Sequence, residues 1–364
     1  MKDKKKSRKK KITKRDIIEY SYFILSMLLI AWICYLKIPE GLDYAQTVRE
    51  TLTDLRFEQE EYYIYVGEEL EPTFQIAPAT AITYITLSSS DADVAVVSDD
   101  LASITGNSAG SITITATGTP GVRAQAVLNV VAKQLPPDSD LPSNYEDVPM
   151  IANADRVLSP DYVPENMVVI NTVPITYRDR MLMADALEAY EKLYADAVAA
   201  TGQNVFIISG YRSYSYQENL FSARVRRFLS LGYSKENAEI AAGKTTQPPG
   251  HSEHQLGNSL DLSVTGDTSY SFCNTKVGAW ITAHAHEYGY ILRYPADKVE
   301  ITEIDYEPWH FRYVGIEHAK YIYEHKLCLE EYIALQAQAR QAVEDYSQQI
   351  TAQELFALNQ NENK

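Results

Sequence analysis

Cysteine is scarce in this chain, with three residues in 364. Cys34 lies within a run of apolar residues, and Cys273 and Cys328 are far apart in the sequence. Such spacing excludes a disulfide framework and a zinc site made of cysteine pairs. Whether Cys273 and Cys328 pair is left open by the sequence.

Positive charge is also scarce, except at the start of the chain. The formal net charge is −16, yet residues 1–16 contain ten Lys or Arg and only two Asp. The remainder of the chain is therefore strongly acidic. A basic tail followed by an acidic body argues against nucleic acid as a partner.

A long uncharged run, YSYFILSMLLIAWICYL, follows the basic tail. Its length is close to that of the shortest helices that span a bilayer, so we expect a transmembrane helix over 19–37. The positive-inside rule then predicts a single-pass membrane protein with residues 1–18 in the cytoplasm and the rest outside the cell. A cleaved signal peptide is the alternative, but the residues that follow, KIPE, do not form a small-x-small cleavage site.

The part of the chain that is predicted to lie outside the cell, from residue 38 onward, is long enough for more than one folded unit. A short polar stalk is predicted over 38–55. Residues 56–133 are rich in Val, Ile, Thr and Ser, and the segment 111–118, SITITATG, alternates so that Ile112, Ile114 and Ala116 share one face. Short strands separated by turn residues predict an all-β sandwich.

Three stretches of this region resemble the group 2 bacterial Ig-like domain. They are VGEELEPTFQIAPATA (66–81), SSSDADVAVVS (88–98) and ITGNSAGSITITATG (104–118). The resemblance implies an Ig-like sandwich that acts as a spacer or an adhesion module. Its binding partner is not indicated by the sequence.

A linker rich in Pro, Asp and Ser is predicted over 134–149, before a third unit over 150–332. In that unit, residues 180–200 predict a helix with one buried face, formed by Leu182, Ala186, Tyr190, Leu193 and Ala197. Helical and strand-like segments alternate without a regular βαβ rhythm, which predicts an α+β domain. Residues 333–364 predict a helical tail without an assigned function.

Two short segments of the third unit, SEHQLGNSLD (252–261) and EPWH (307–310), place histidine near carboxylates. A catalytic zinc ion takes three His or carboxylate ligands and keeps one position open for water. A second carboxylate beside the site can accept the proton of that water. His254, Asp261 and His310 could supply the ligands, and Glu307 the base. Solvated loop histidines remain the alternative, because such spacings also arise by chance.

A family resemblance carries this hypothesis further. The segments SGYRSYSYQ (209–217), GHSEHQLGNSLDL (250–262), ILRYP (291–295) and EPWHFRYVG (307–315) occur in the order seen in VanY-type D-alanyl-D-alanine carboxypeptidases of the M15 metallopeptidase family. The resemblance implies an α+β zinc peptidase domain of the Hedgehog-like D,D-peptidase fold, a small antiparallel sheet with helices, holding one zinc ion.

Residue by residue, the resemblance implies that His254, Asp261 and His310 are the zinc ligands and that Glu307 is the catalytic base. It assigns binding of the substrate carboxylate or carbonyl to Arg212. The substrate-binding residues implied are Arg212, Gln217 and Ser252. One departure is Ser259, where the family usually has Ala, and we expect little effect because one small residue replaces another.

The activity implied is removal of the C-terminal D-alanine from peptidoglycan stem peptides or their precursors. An L,D-carboxypeptidase or an endopeptidase on the same scaffold remains an alternative, because the motifs build machinery that all three share. A third reading is a wall-binding protein whose zinc is only structural. The presence of both Glu307 and Arg212 argues against that reading.

Overall fold

The computed structural model describes residues 50–176 and 180–362. They divide into two compact units. The first unit contains the described residues up to Ala132 together with 352–362, and the second runs from Lys133 to Thr351. Cys273 and Cys328 are both free.

The first unit contains nine strands among the described residues. They are β1 (Asp54–Phe57), β2 (Glu61–Tyr65), β3 (Glu69–Leu70), β4 (Phe74–Ala77), β5 (Ile85–Ser89), β6 (Ala95–Val97), β7 (Ile104–Gly106), β8 (Gly110–Gly118) and β9 (Val122–Val131). One sheet has the order β2-β9-β8-β5, another β3-β7-β6, and β1 pairs with β4. Within the larger sheet β2 and β9 run parallel and the other pairs antiparallel.

The alternation predicted for the segment 111–118 is confirmed in β8. Ile112, Ile114 and Ala116 are all buried, while the residues between them are partly exposed. Leu128 and Val130 of β9 belong to the same core. The all-β character expected for this part of the chain is therefore confirmed.

The second unit contains six strands and seven α-helices among the described residues. The strands are β10 (Met167–Val169), β11 (Met181–Met183), β12 (Phe206–Ser209), β13 (Ser259–Ser263), β14 (Tyr290–Leu292) and β15 (His310–Tyr313). The helices are α1 (Ala184–Thr201), α2 (Tyr214–Ser230), α3 (Lys235–Gly243), α4 (Lys276–His284), α5 (Val299–Thr302), α6 (Ile316–Glu324) and α7 (Leu329–Gln349). An antiparallel sheet of order β12-β13-β15-β14 lies at the centre, which confirms the predicted α+β class.

The helix predicted over 180–200 begins later than expected, at Ala184. Residues Met181–Met183 instead pair as a strand with Met167–Val169. All five residues of the predicted face are buried in the core of this unit, four of them from the helix and Leu182 from the strand before it. The helix ends at Gly202, whose φ of 65° lies in the left-handed region that glycine tolerates.

The two segments predicted as linker and tail contribute to folded units. Carbonyl oxygens of Asn144 and Asp147 in the linker accept hydrogen bonds from the buried amide of Gln336 on α7, at 2.8 and 2.9 Å. The tail divides between the units: α7 lies in the second, whereas a further helix, α8 (Ala352–Glu362), lies in the first. Leu355 of α8 is buried, and the ring of Phe356 lies at a tilt beside that of Tyr63, with centroids 5.4 Å apart.

The fold class expected from the sequence is wrong in one component, the membrane helix. Within 50–176 and 180–362, no helix is both long enough and apolar enough to cross a bilayer. The longest of these helices, α7, has 21 residues but carries Glu, Arg and Asp side chains along its length. The segment 19–37 itself lies outside the described residues, so the structure supports an α+β unit and an Ig-like unit only.

Candidate metal centre and active-site cleft

Strand pairing brings two of the three predicted ligands together. Asp261 of β13 and His310 of β15 are direct partners in the antiparallel register. Side chains at such paired positions emerge on the same face of a sheet, about 4.5–5.5 Å apart at Cβ. Two residues that are 49 positions apart in the sequence are thus neighbours in the fold.

The third predicted ligand lies on a short 3-10 turn, Glu253–Leu256, immediately before β13. The turn ends at Gly257, whose φ is 73° and whose place could not take a side chain without contacting Met167 Sδ at 2.6 Å. Glycine is therefore required here for two reasons, its backbone conformation and its small size. The reversal at Gly257 carries His254 back over the end of β13.

The three side chains converge closely. His254 Nε2 lies 3.4 Å from Asp261 Oδ2, and His310 Nδ1 lies 3.0 Å from Asp261 Oδ1. One ligand atom of each residue lies within 4.8 Å of the others, and all three residues are buried. The structure therefore brings the predicted trio to one point.

A hydrogen bond orients His254 for metal binding. Its Nδ1 is 2.7 Å from the carbonyl oxygen of Gly210, which can only accept, so Nδ1 carries the hydrogen. Nε2 is then left with its lone pair facing Asp261. Burial lowers the pKa of His254 to about 4, with the nearby Arg212 adding to the effect. His254 and Asp261 therefore form a neutral imidazole beside a carboxylate rather than an ion pair.

Asp261 remains ionised in this setting. Burial by itself would raise its pKa, but the contact with His310, whose Nδ1 lies 3.0 Å from Asp261 Oδ1, outweighs burial and holds the pKa well below its usual range. His254 Nε2, Asp261 Oδ1 and His310 Nε2 are buried without a hydrogen-bond partner among the described residues. Orphaned buried polar atoms are costly unless a ligand satisfies them. Two imidazoles and one carboxylate with orphaned atoms fit a zinc ion that keeps an open position.

The predicted base lies beside this trio. Glu307 Oε2 is 3.6 Å from His310 Nδ1, and the side chain is almost fully buried. Burial raises the pKa of Glu307 well above its usual range, and the charge of Asp261 adds to this while Arg212 opposes it. Glu307 is thus a carboxyl group whose affinity for a proton is enhanced by its surroundings.

Arg212 and Gln217 form a connected pair at the start of α2. Arg212 Nη2 lies 3.9 Å from Asp261 Oδ2, and its Nη1 donates to Gln217 Oε1 at 2.8 Å. The amide of Gln217 also donates to the carbonyl of Gln247 at 2.6 Å, and the side chain is buried. In this structure Gln217 positions Arg212 and the 243–247 loop, and its predicted contact with substrate stays a prediction.

These residues line one cavity of about 760 Å³. Its walls include the trio, the base and the predicted substrate-binding residues, namely Arg212, Gln217, Ser252, His254, Asp261, Glu307 and His310. Tyr270 and Trp309 form an aromatic edge with ring centroids 5.2 Å apart. The cavity is large enough for a peptide end.

The sequence did not reveal a buried charge network behind the site. Glu253 Oε1 contacts Arg293 Nε at 2.9 Å and Arg312 Nη1 at 3.0 Å, and all three side chains are almost completely buried. Arg293 also donates to both carboxylate oxygens of Glu330 on α7, at 2.9 and 2.6 Å. The only signal in the sequence is the presence of charged residues within otherwise buried segments. Glu253 precedes a ligand and Arg312 lies two residues after another, so the network joins both ligand segments.

His251 lies outside the metal site although it is three residues from His254. Its Nδ1 is 2.7 Å from the carbonyl oxygen of Asn153, and it lines a separate cavity of about 270 Å³. It is not one of the converging ligands. Among the described residues, the grouping that could hold a metal is the predicted trio.

An antiparallel sheet that carries Asp261 and His310, with His254 and Glu307 on the segments that lead into its strands, defines the class of protein, a zinc peptidase. Residues 179–316 match the VanY family of D-alanyl-D-alanine carboxypeptidases, and residues 52–127 match the group 2 bacterial Ig-like domain. The chain belongs to the VanY family and carries an Ig-like domain ahead of its peptidase domain.

Individual relatives are similar over the peptidase part. A D-alanyl-D-alanine carboxypeptidase of Enterococcus faecalis is 41% identical over 38% of this chain, and the match spans half of that relative's length. A bifunctional D-Ala-D-Ala dipeptidase and carboxypeptidase of Enterococcus gallinarum is 32% identical, covering 50% of this chain and 91% of the relative. A solved structure of a VanY D,D-pentapeptidase mutant with Zn(II) is 33% identical, covers 50% of this chain and 97% of that one, and has a TM-score of 0.44.

Substitution of one ligand should release the metal. His254→Ala removes one of three protein ligands, and we expect purified protein to lose most of its zinc, measured as zinc per chain by mass spectrometry after gel filtration. His251→Ala is the matched control, because it removes a histidine that is hydrogen-bonded outside the trio. Equal zinc content in the two variants would contradict the assigned ligand set.

The charge network should contribute strongly to stability. Glu253→Ala leaves Arg293 and Arg312 buried with a missing counter-charge, and breaking such a pair costs about 3–5 kcal/mol. We expect a corresponding loss in the free energy of unfolding, measured by urea denaturation at fixed zinc concentration. Glu188→Ala, which removes an exposed partner of Lys192, should leave unfolding unchanged. A Glu253→Ala protein as stable as wild type would refute the structural role of the network.

Proposed function

We propose that this protein is a zinc-dependent carboxypeptidase that removes the C-terminal D-alanine from peptidoglycan stem peptides or their precursors. The observation that carries the proposal is the convergence of His254, Asp261 and His310 with Glu307 and Arg212 in one cavity. Membership of the VanY family supports the D-Ala-D-Ala substrate class. A binding role alone would not need a buried carboxylate base beside a site with an open metal position.

Zinc held by His254, Asp261 and His310 would supply Lewis acidity, polarising the scissile carbonyl and lowering the pKa of water. Glu307 accepts a proton from the water that attacks the carbonyl carbon. It then delivers that proton to the leaving amine of the terminal D-alanine as the C–N bond breaks. The raised proton affinity that burial gives Glu307 makes it a stronger proton acceptor in the first half of this transfer.

Arg212 binds the negative charge of the substrate in this mechanism. Its planar guanidinium offers paired donors to a terminal carboxylate or to the oxyanion that develops on the carbonyl oxygen. Gln217 restrains the guanidinium through the hydrogen bond at 2.8 Å, so Arg212 is oriented before the substrate arrives. Such preorganisation lowers the cost of stabilising charge in the transition state.

Purified stem peptides test the substrate and the bond cleaved. We expect the full-length zinc-loaded protein to remove one alanine from a pentapeptide ending in D-Ala-D-Ala and to leave the tetrapeptide intact, as followed by mass spectrometry. Cleavage of the tetrapeptide alone would instead favour an L,D-carboxypeptidase. No cleavage of either peptide by zinc-loaded protein would contradict both carboxypeptidase functions.

Glu307→Gln is the control for that experiment. The substitution keeps the size of the side chain but removes its capacity to accept a proton, so turnover of the pentapeptide should fall by about 10²-fold or more. Zinc content should remain at one per chain, because Glu307 is not a ligand. Near-normal turnover of Glu307→Gln would contradict its assignment as the base.

We also propose that the peptidase domain works outside the cytoplasmic membrane, where stem peptides of the wall are found. The family match supports this location, because D-Ala-D-Ala ends of wall peptides lie on the outer side of that membrane. Protease added to intact cells after removal of the wall should digest the domain. Protection of the domain until the membrane is permeabilised would contradict this location.

A further inference from the structure

The active-site cavity extends well beyond the metal centre, along helix α2. Gln217, Leu220 and Arg224 line it from successive turns of this helix. Gln217 and Arg224 are seven residues apart, which corresponds to about 10 Å along a helix axis. An extended peptide advances about 3.3–3.6 Å per residue, so this wall can accompany roughly three residues of substrate.

Arg224 is a cation in this distant part of the cavity. Its Nη2 donates to Thr245 Oγ1 at 3.1 Å, while its Nε is buried without a hydrogen-bond partner. Among the described residues, no carboxylate lies within 4.0 Å of its guanidinium nitrogens, whereas Arg293 and Arg312 each contact Glu253. A guanidinium has five N–H donors, so Arg224 retains donors for a ligand.

The two arginines that line the cavity differ in their surroundings. Arg212 lies at the metal end, 3.9 Å from Asp261 and hydrogen-bonded to Gln217. The contacts of Arg224 are with neutral groups, the hydroxyl of Thr245 and the ring of Phe228, whose centroid lies 5.9 Å from Cζ. Asp267 also lines the cavity, but it belongs to the separate loop after β13 and its side chain is exposed. Arg224 therefore provides an uncompensated positive charge on the α2 wall.

We propose that Arg224 is a specificity-determining residue that binds a free carboxylate on the substrate, two or three residues before the scissile bond. This inference rests on the proposed function and specifies its substrate as an acidic peptide. A paired N–H fork of arginine matches a carboxylate better than it matches a neutral amide, because the contact is charge-assisted. The protein then binds two negative groups of one peptide, one at Arg212 near the metal site and one at Arg224.

Matched peptides test the proposal. Each pair ends in D-Ala-D-Ala and differs only in a carboxylate or its carboxamide, placed at the second residue before the scissile bond in one pair and at the third in the other. We expect the full-length protein to prefer the acidic member of at least one pair by about tenfold in kcat/KM. Arg224→Gln should abolish this preference and leave cleavage of the carboxamide peptides close to wild type.

Three further variants separate charge recognition from structure. Arg227→Gln removes an exposed arginine of the same helix that does not line the cavity, and the preference should persist. Thr245→Val removes the hydrogen bond of Arg224 but keeps its charge, and the preference should also persist. Arg224→Lys keeps the charge without the fork and should retain part of the preference.

The outcomes distinguish this proposal from the one on which it rests. Cleavage of all peptides without any preference for the acidic members, or with a preference that survives Arg224→Gln, overturns the role of Arg224 alone. Equal loss of activity of Arg224→Gln on acidic and carboxamide peptides also overturns it, since that pattern indicates a structural role. Failure of zinc-loaded protein to cleave any of the peptides overturns the proposed function as well.

Discussion

The antiparallel pairing of β13 with β15 is the constraint on which the whole site depends. Asp261 is opposite His310, and the adjacent pair, Leu260 with Phe311, is buried in the core. Since successive side chains of a strand point to opposite faces, the register that buries the apolar pair also places the ligand pair in the cleft. A slip of one residue would reverse both faces of a strand, so core packing protects the metal site.

Charges buried behind this sheet extend the same coupling to the third ligand. Glu253 and His254 are adjacent on the 3-10 turn, and each meets a partner on the sheet: Glu253 contacts Arg312, and His254 contacts Asp261. Removing three charged side chains from water is costly, and mutual attraction offsets that cost only in good geometry. The turn therefore has few alternative positions in which both contacts are kept, and the position of His254 is restricted accordingly.

The electrostatics of the cleft give the predicted metal ligands and the proposed proton acceptor different properties. Hydrogen bonding to a backbone carbonyl keeps one nitrogen of His254 available, and the contact with His310 keeps Asp261 ionised. Glu307 lies just outside that set, where burial and the charge of Asp261 raise its affinity for protons. In the proposed reaction these differences assign ligand and base roles to two carboxylates in the same cavity.

Local patterns in the sequence determined the alternating face of β8, the buried face of α1 and, through ordered family motifs, the candidate residues His254, Asp261, His310 and Glu307. Such features depend on residues close together in the chain, or on a motif that contains the chemistry. The start of α1 was misplaced because Met181–Met183 pairs with the preceding strand, Met167–Val169. Three features were decided only by the tertiary structure. Gln217 is hydrogen-bonded to Arg212, and Glu253 is buried between two arginines. Arg224 lines the cavity without a carboxylate partner among the described residues. Each of these three facts depends on groups brought together by folding, and the residues beside them in the sequence do not report such contacts.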